Sequence, residues 1–504
     1  MRATIPNTAV VLINTRCGRL SAIWMLAAAV AMWPASPARG DDAKLARDAY
    51  AQSYLENDFS YLDDDDYNGS YLGESLKRLR PLDCLTIDVG GQYRTRFHNE
   101  NNLRGRRLSG RSDNFYLHRT RLFTDLHWGQ DLRLFAEMID ATSEENDFTS
   151  RPTELNRMDV QNLVVDVRLL TLGSTDQWWL RAGRQELYLG SQRLVSSRPW
   201  RNTPLNHDGV RSWWSSKNHR LDAFWVHPLS PAQHIPEDHN FDRPDRSRQF
   251  FGAFVQTKQD DRLSEVYYYG LVEDDPRVPD FAGNLGDFDI HTIGGRVKVN
   301  HNDNHFELEG GYQFGTFSTL RHSAGFFTAG IGRDLTRIPM KPTLWLFFDW
   351  ASGDSDLDDG THGTFQQLSP RGHFYLGWAD LTGRQNIQDL NLQMSIPVTE
   401  SVEFRSYFHS FWLESRKDAV YSLGGAPLYQ DPTGSASNQL ATELDLQVRW
   451  SITPRTHFLC GYTYLWAGDY FDSPVIQNGP AGIANNGVNG GDGEFTYAQF
   501  TLRF

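Results

Sequence analysis

The chain has little of what holds a small secreted fold together or runs a reaction. It has three cysteines in 504 residues. Cys17 precedes an apolar leader, so a disulfide framework is excluded and only Cys84 and Cys460 remain to pair. Beyond Trp33 there is no apolar run approaching the roughly 20 residues that a spanning helix needs. Basic blocks are absent and the formal charge is −14, which argues against nucleic acid as a partner. The 16 histidines show no His-Glu-x-x-His and no paired metal spacing. Gly-x-Ser-x-Gly and phosphate-cradling glycine loops are also missing, so no catalytic, metal or cofactor signature stands out.

What is present begins with an export leader. Arg2, Arg16 and Arg19 form a basic lead, Ser21 to Trp33 is the apolar stretch, and Ala38-Arg39-Gly40 offers small residues at −3 and −1. Residues 1–40 are therefore expected to be a cleavable signal peptide. They carry four arginines and no acid, so the mature charge becomes −18. Residues 41–82 follow as an N-terminal extension, helix-leaning over 42–55 and then acidic at Asp63 to Asp66. It reads as a solvated periplasmic segment, or more sharply as a small plug or partner contact. The chain is polar, with mean hydropathy −0.53, yet 13% of it is aromatic. Such rings suit the two water–lipid boundaries of a membrane barrel.

From residue 83 onward, short segments alternate with period two. Phe306, Leu308, Gly310, Tyr312 and Phe314 share one face, and His305, Glu307, Glu309, Gly311 and Gln313 the other. Leu444, Leu446, Val448 and Trp450 likewise alternate with Glu443, Asp445, Gln447 and Arg449. One face suits lipid and the other water. About eighteen such strands start near residues 84, 113, 131, 157, 177, 208, 219, 248, 263, 289, 304, 322, 341, 386, 401, 437, 455 and 494. Connections alternate between short and long, as in a barrel with periplasmic turns and extracellular loops. Three depart from this: 171–176 and 333–340 are long for turns, and Gly315 to Leu320 is short for a loop. The expected fold is all-β: a transmembrane antiparallel up-and-down barrel over residues 83–504. Because only helices and closed barrels satisfy every backbone group in lipid, an exported chain without a spanning helix must enter a membrane as a barrel. The final strand places Phe500, Leu502 and Phe504 on one face and ends on an aromatic. This resembles the signal that outer-membrane assembly machinery reads.

Specific residues then appear. Phe347 to Asp354 reads FFDWASGD, followed by Thr364 to Leu368, Pro370, His373 to Gly377, Asp380-Leu381 and Asn386. Gly91 to Arg96, Arg119 to Leu122, Gly183-Arg184-Gln185 with Tyr188 to Gly190, and Phe408 to Trp412 ahead of Tyr421 keep the same order. Together they resemble the alginate export family of outer-membrane barrels, over about Asn57 to Phe504. The resemblance implies eighteen strands and an arginine-rich pore that passes an anionic polysaccharide outward.

Strand parity places Arg94, Arg96, Arg119, Arg121, Arg133, Arg181, Arg296, Arg405 and Arg449 in the lumen, with Lys298. Arg184 has the wrong parity beside Arg181 and needs a bulge to point inward. An arginine offers a five-donor fork matched to carboxylates, and rings of arginine select anions. The alternative is that these arginines pair with Asp88, Asp125, Glu137, Glu403, Glu443 and Asp445 and only brace the wall. Asp354, Asp356, Asp358 and Asp359 offer oxygen ligands for Ca²⁺ but lack the spacing of a calcium loop. The favoured reading is a passive channel for an alginate-like polymer. The runner-up is a general or anion-preferring porin for small solutes. The third is an outer-membrane enzyme acting on lipid or glycan.

Overall fold

The computed structural model describes residues 40–104, 108–173, 176–230, 241–275, 286–478 and 491–504. All of the expected leader except Gly40 lies outside them. Eighteen long strands form the wall: β1 Leu85–Asn101, β2 Asp113–Trp128, β3 Leu132–Glu144, β4 Asn156–Leu172, β5 Asp176–Gln185 and β6 His207–Ser215. They continue as β7 His219–Ser230, β8 Arg248–Gln259, β9 Arg262–Glu273, β10 Phe288–His301, β11 Asn304–Phe317 and β12 Leu320–Asp334. The last six are β13 Thr343–Ala351, β14 Ile387–Pro397, β15 Val402–Trp412, β16 Gln439–Thr453, β17 Thr456–Ala467 and β18 Gly493–Arg503. Each start falls within two residues of the position that alternation predicts.

Every strand pairs antiparallel with the next, and β18 pairs with both β17 (Cys460↔Ala498) and β1 (Thr95↔Phe500). The sheet therefore closes and leaves no edge. Burial is inverted relative to a water-soluble protein. On β11, Phe306 and Leu308 are 53% and 51% exposed, whereas Glu309 and Gln313 are 3% and 0% exposed. The apolar residues form an outer belt and the polar residues turn inward. Lipid contact removes the belt from water at about 25 cal/mol per Å². Trp128, Trp178 and Trp450 lie on this outer face near the short-turn rim, and Trp225 and Trp466 near the other. They suit two aromatic girdles at the water–lipid boundaries, while many other rings, such as Tyr269, Trp378, Tyr407 and Tyr497, are buried inside the barrel. No described helix is long and apolar enough to cross a membrane.

The three exceptional connections have local causes. β4 runs on to Leu172, so the 171–176 connection shrinks to residues 173–175. The 335–342 turn is long, closed by the Leu335 amide donating to the Pro342 carbonyl at 2.9 Å. β11 and β12 meet through residues 318–319 alone. There Gly315 adopts φ +136, and a Cβ would sit 1.9 Å from the Asp289 carbonyl oxygen. The low rim is covered instead by the 352–386 loop, whose Thr361–His362 pairs in parallel with Arg321–His322.

The extension begins with helix α1, Gly40–Asp48, then turns at Tyr54–Glu56, Ser60–Asp63 and Glu74–Leu76. Leu79–Leu82 folds back on the start of β1. Ala49, Tyr50, Tyr54, Leu55 and Phe59 pack against the inward-facing Phe123, Phe135 and Val164. The segment therefore sits in the short-turn mouth of the barrel.

Candidate functional site: an arginine-lined lumen

Parity turns a row of cations inward from neighbouring strands, and their partners divide them into two groups. In the first group each arginine meets a carboxylate of the wall. Arg133 grips Asp125 through two 2.7 Å hydrogen bonds, and Arg181 grips Asp166 in the same way. Arg296 lies between Glu265 (3.1 Å) and Glu307 (3.2 Å). Arg405 pairs with Glu403 at 2.9 Å, and Arg121 with Glu137 and, at 3.1 Å, Glu186. Bidentate pairs of this kind fix geometry and cancel charge locally. Arg184 meets Asp208 at 2.9 Å and Asp159 at 3.5 Å and donates to the Asp242 carbonyl at 2.8 Å. It sits at the long-loop end of β5 and does not line the central cavity.

Three long loops fold into the barrel. The 186–206 loop crosses the lumen, where Arg193, 1% exposed, pairs with Glu307 and, at 3.1 Å, Glu309 on β11. The 352–386 loop is tied to the wall by Arg384 on Asp349 (2.5 Å) and by the Ala379 amide on Glu443 (2.9 Å). Tyr375 of that loop donates its hydroxyl to the Ser191 carbonyl at 2.5 Å, joining the two loops. The 413–438 loop packs above through Asn386, whose side chain donates to the Ser415 and Ala419 carbonyls at 3.0 Å each. In this layer Asp418 accepts hydrogen bonds from Thr364 and the Asp354 amide. Burial nevertheless pushes its carboxyl up to about 6.

A second group, with Arg121 and Arg405 shared from the first, surrounds what space is left. A cavity of about 300 Å³ is lined by Arg94, Arg96, Arg119, Arg121, Arg371, Arg405, Arg449 and Arg503, and by no aspartate or glutamate. Arg94, Arg119, Arg371, Arg449 and Arg503 form no ion pair with a carboxylate among the described residues. Arg94 and Arg119 instead hold the crossing loop. Both donate to the Arg201 carbonyl, at 3.0 and 3.2 Å, and Arg94 also donates to the Asn202 side chain at 2.8 Å. A pocket with one sign of charge and low-dielectric walls concentrates counter-ions of the other sign. Trp200, Phe374, Trp378 and Tyr407 complete the lining with ring faces.

A second cavity of about 290 Å³ lies beyond, towards the outer loops, and shares Arg96, Trp200, Arg371 and His373 with the first. Between them Arg96 lies 3.6 Å over the Trp200 ring. His373 stacks on the same ring with centroids 3.9 Å apart and planes 10° from parallel. His373 meets Asp380 at 3.1 Å. This stack stands where the two cavities adjoin. In the loop beside it, burial and neighbouring cations press Arg198 down to about 10 and Arg201 to about 9. Both remain protonated at neutral pH.

The acidic loop uses its carboxylates internally. Asp354 accepts from the Asp356 and Gly363 amides, Asp356 from the Asp358 amide and Asp359 from the Thr361 amide. Among the described residues, Asp88, Asp125 and His127 are close enough to share a metal ion. Arg133 and the Arg78 amide already engage these two aspartates. Trp200, Arg193, Arg371 and the Tyr54 region were not legible as lumen residues, because loops carry no alternation to read. Arg503 was legible: it shares the inward parity of Gln499 and Thr501.

Comparison with known proteins agrees with this architecture. The alginate export family matches residues 85–482. No curated protein matches. Among solved structures, the outer membrane protein OprD from Pseudomonas aeruginosa is similar at TM-score 0.51 and 10% identity, covering 83% of this chain and 94% of that one. OccAB1 from Acinetobacter baumannii gives TM-score 0.51 and 11% identity over 83% and 96% of the two chains. OccD3 (OpdP) from P. aeruginosa gives 0.50 and 11% over 82% and 91%. At these identities the likeness is one of fold. The closed eighteen-stranded wall, its lipid-facing belt and the family match over most of the chain make this protein an outer-membrane β-barrel channel protein of the alginate export family.

Proposed function

We propose that the barrel is a passive, non-enzymatic channel that prefers anions and passes an acidic, alginate-like polysaccharide through its arginine-lined lumen. The single observation that carries this is the central cavity: eight arginines and no carboxylate around about 300 Å³. Arg94, Arg96, Arg119, Arg121 and Arg449 are its contact residues, with Arg405 shared with Glu403. Arg133, Arg181, Arg184 and Arg296 brace the wall. The ring faces of Trp200, Trp378 and Tyr407 suit the apolar faces of sugar rings beside the carboxylate forks. In this reading residues 1–40 are removed on export, 41–82 remain with the barrel, and Phe500, Leu502 and Phe504 are read during assembly.

A general anion porin is the second reading, favoured by the small size of the two cavities. Blockade of single-channel current in a planar bilayer separates the two. Alginate oligomers added to one side should interrupt the current at concentrations where neutral dextran of equal length does not. Equal blockade by both, or by neither, would leave the small-solute porin as the better account.

A further inference from the structure

The central cavity is partly closed by the protein's own N-terminal extension. Ala51, Gln52 and Tyr54 line it beside Arg94, Arg119 and Arg121. Tyr54 is 2% exposed, and the Arg121 guanidinium lies 4.5 Å over its ring. The segment is anchored at its base. Tyr50 donates its hydroxyl to the Phe504 carbonyl at 2.6 Å. Arg455, on the β16–β17 turn, donates to the Ala46 carbonyl and, at 2.7 Å, to the Tyr61 hydroxyl. At its tip Gln52 donates to the side-chain oxygen of Gln192 at 3.0 Å. Gln192 belongs to the loop that enters from the opposite rim, so the two intrusions meet inside the lumen.

Glu56 gives this segment a chemical character. The residue is exposed and makes no ion pair among the described residues. Burial by the surrounding barrel pushes it up, but Arg181, Arg211, Arg220 and Arg133 more than offset this and hold it below its ordinary value. Thus the extension presents an aromatic ring to Arg121, and a carboxylate on the side of wall arginines that already pair with Asp125, Asp166 and Asp222. Of these two groups, the carboxylate is the one an acidic sugar shares.

We propose that residues 49–62 are a displaceable plug, a segment of the chain that occupies the anion route and yields it to a polyanionic ligand. This rests on the channel reading given above. The aromatic packing of Tyr50, Tyr54 and Phe59 holds the plug, while its lumen-facing contact at Gln52 is polar and exchangeable. A polymer whose carboxylates engage Arg94, Arg119 and Arg121 competes for the space that Ala51, Gln52 and Tyr54 occupy beside them.

The test introduces Gln52→Cys and Gln192→Cys in a Cys84→Ser, Cys460→Ser background of the full chain. With the two new thiols joined by a short bifunctional reagent, conductance in potassium chloride should fall about threefold or more below that of the unlinked protein. Deletion of residues 49–62 should raise it by a similar factor. In the unlinked protein, dextran sulfate should speed maleimide labelling of the thiol at position 52, and neutral dextran should not. Equal conductance with and without the link, or labelling indifferent to dextran sulfate, would overturn the proposal. Conductance reports the plug whichever ion carries the current. A cation-selective reversal potential would defeat the anion reading without touching this result, so the two fail separately.

Discussion

Arg121 and Arg449 both line the lumen, yet their replacement has different consequences because their partners differ. Arg121→Gln leaves Glu137 and Glu186, 1% and 2% exposed, without their cation. Removing one partner of a buried pair costs about 3–5 kcal/mol. Folded barrel should therefore unfold at a clearly lower temperature, read from heat-modifiable electrophoretic mobility; an unshifted midpoint would contradict the pairing. Arg449→Gln orphans no carboxylate. It should leave that midpoint in place and move the reversal potential in a salt gradient toward cation preference. Trp200→Ala removes the slab between Arg96 and His373 and joins the two cavities. Single-channel conductance should rise about twofold, since the narrowest section dominates pore resistance; no rise would place the constriction elsewhere. Parity alone located Arg94, Arg96, Arg119 and Arg121, because a strand residue's face follows from its number. It could not say which arginines are neutralised, since Glu186 reaches Arg121 from a loop and the loop residue Arg193 reaches in to Glu307.

At the scale of elements, the strands were legible and the intrusions were not. A wall strand must alternate along its whole length, so β1 to β18 could be placed to within two residues. The 186–206 and 352–386 loops and residues 49–62 obey no period, and their burial depends on contacts far away in sequence. The extension also carries a pH dependence. Burial, with Arg455 nearby, holds the Lys77 ammonium down to about 7, while its Nζ donates to the Val89 and Phe504 carbonyls. A lysine with a lowered docked-state value binds fewer protons when docked. Docking therefore strengthens as pH rises from about 7 towards the value of the free amine. Limited proteolysis of residues 41–62 should be slower at pH 9 than at pH 6.5 after correction for protease activity, and Lys77→Met should remove the difference. Deleting Phe504 should act at two places. It removes the backbone pairing with Gly91 (2.9 and 3.0 Å) and the acceptor for Tyr50. Recovery in the outer membrane should fall while export persists; unchanged recovery would mean that this residue is no part of the assembly signal.

For the whole molecule, charge and function point in opposite directions until distance is considered. The chain carries −14 overall, yet the central cavity is lined by eight arginines and no acid. Exposed charges on the outer rims lie in water, where their influence falls off over about 8 Å at physiological salt. Those lining the central cavity act on an ion within it at contact distance, inside a wall of low dielectric. The lumen should therefore set selectivity, against the sign of the net charge. The most direct measurement is the reversal potential of the wild-type channel in a planar bilayer under a potassium chloride gradient. The account predicts a potential on the chloride side of zero, moving toward zero when Arg94 and Arg119 are both replaced by glutamine. A wild-type channel that already prefers potassium would contradict it.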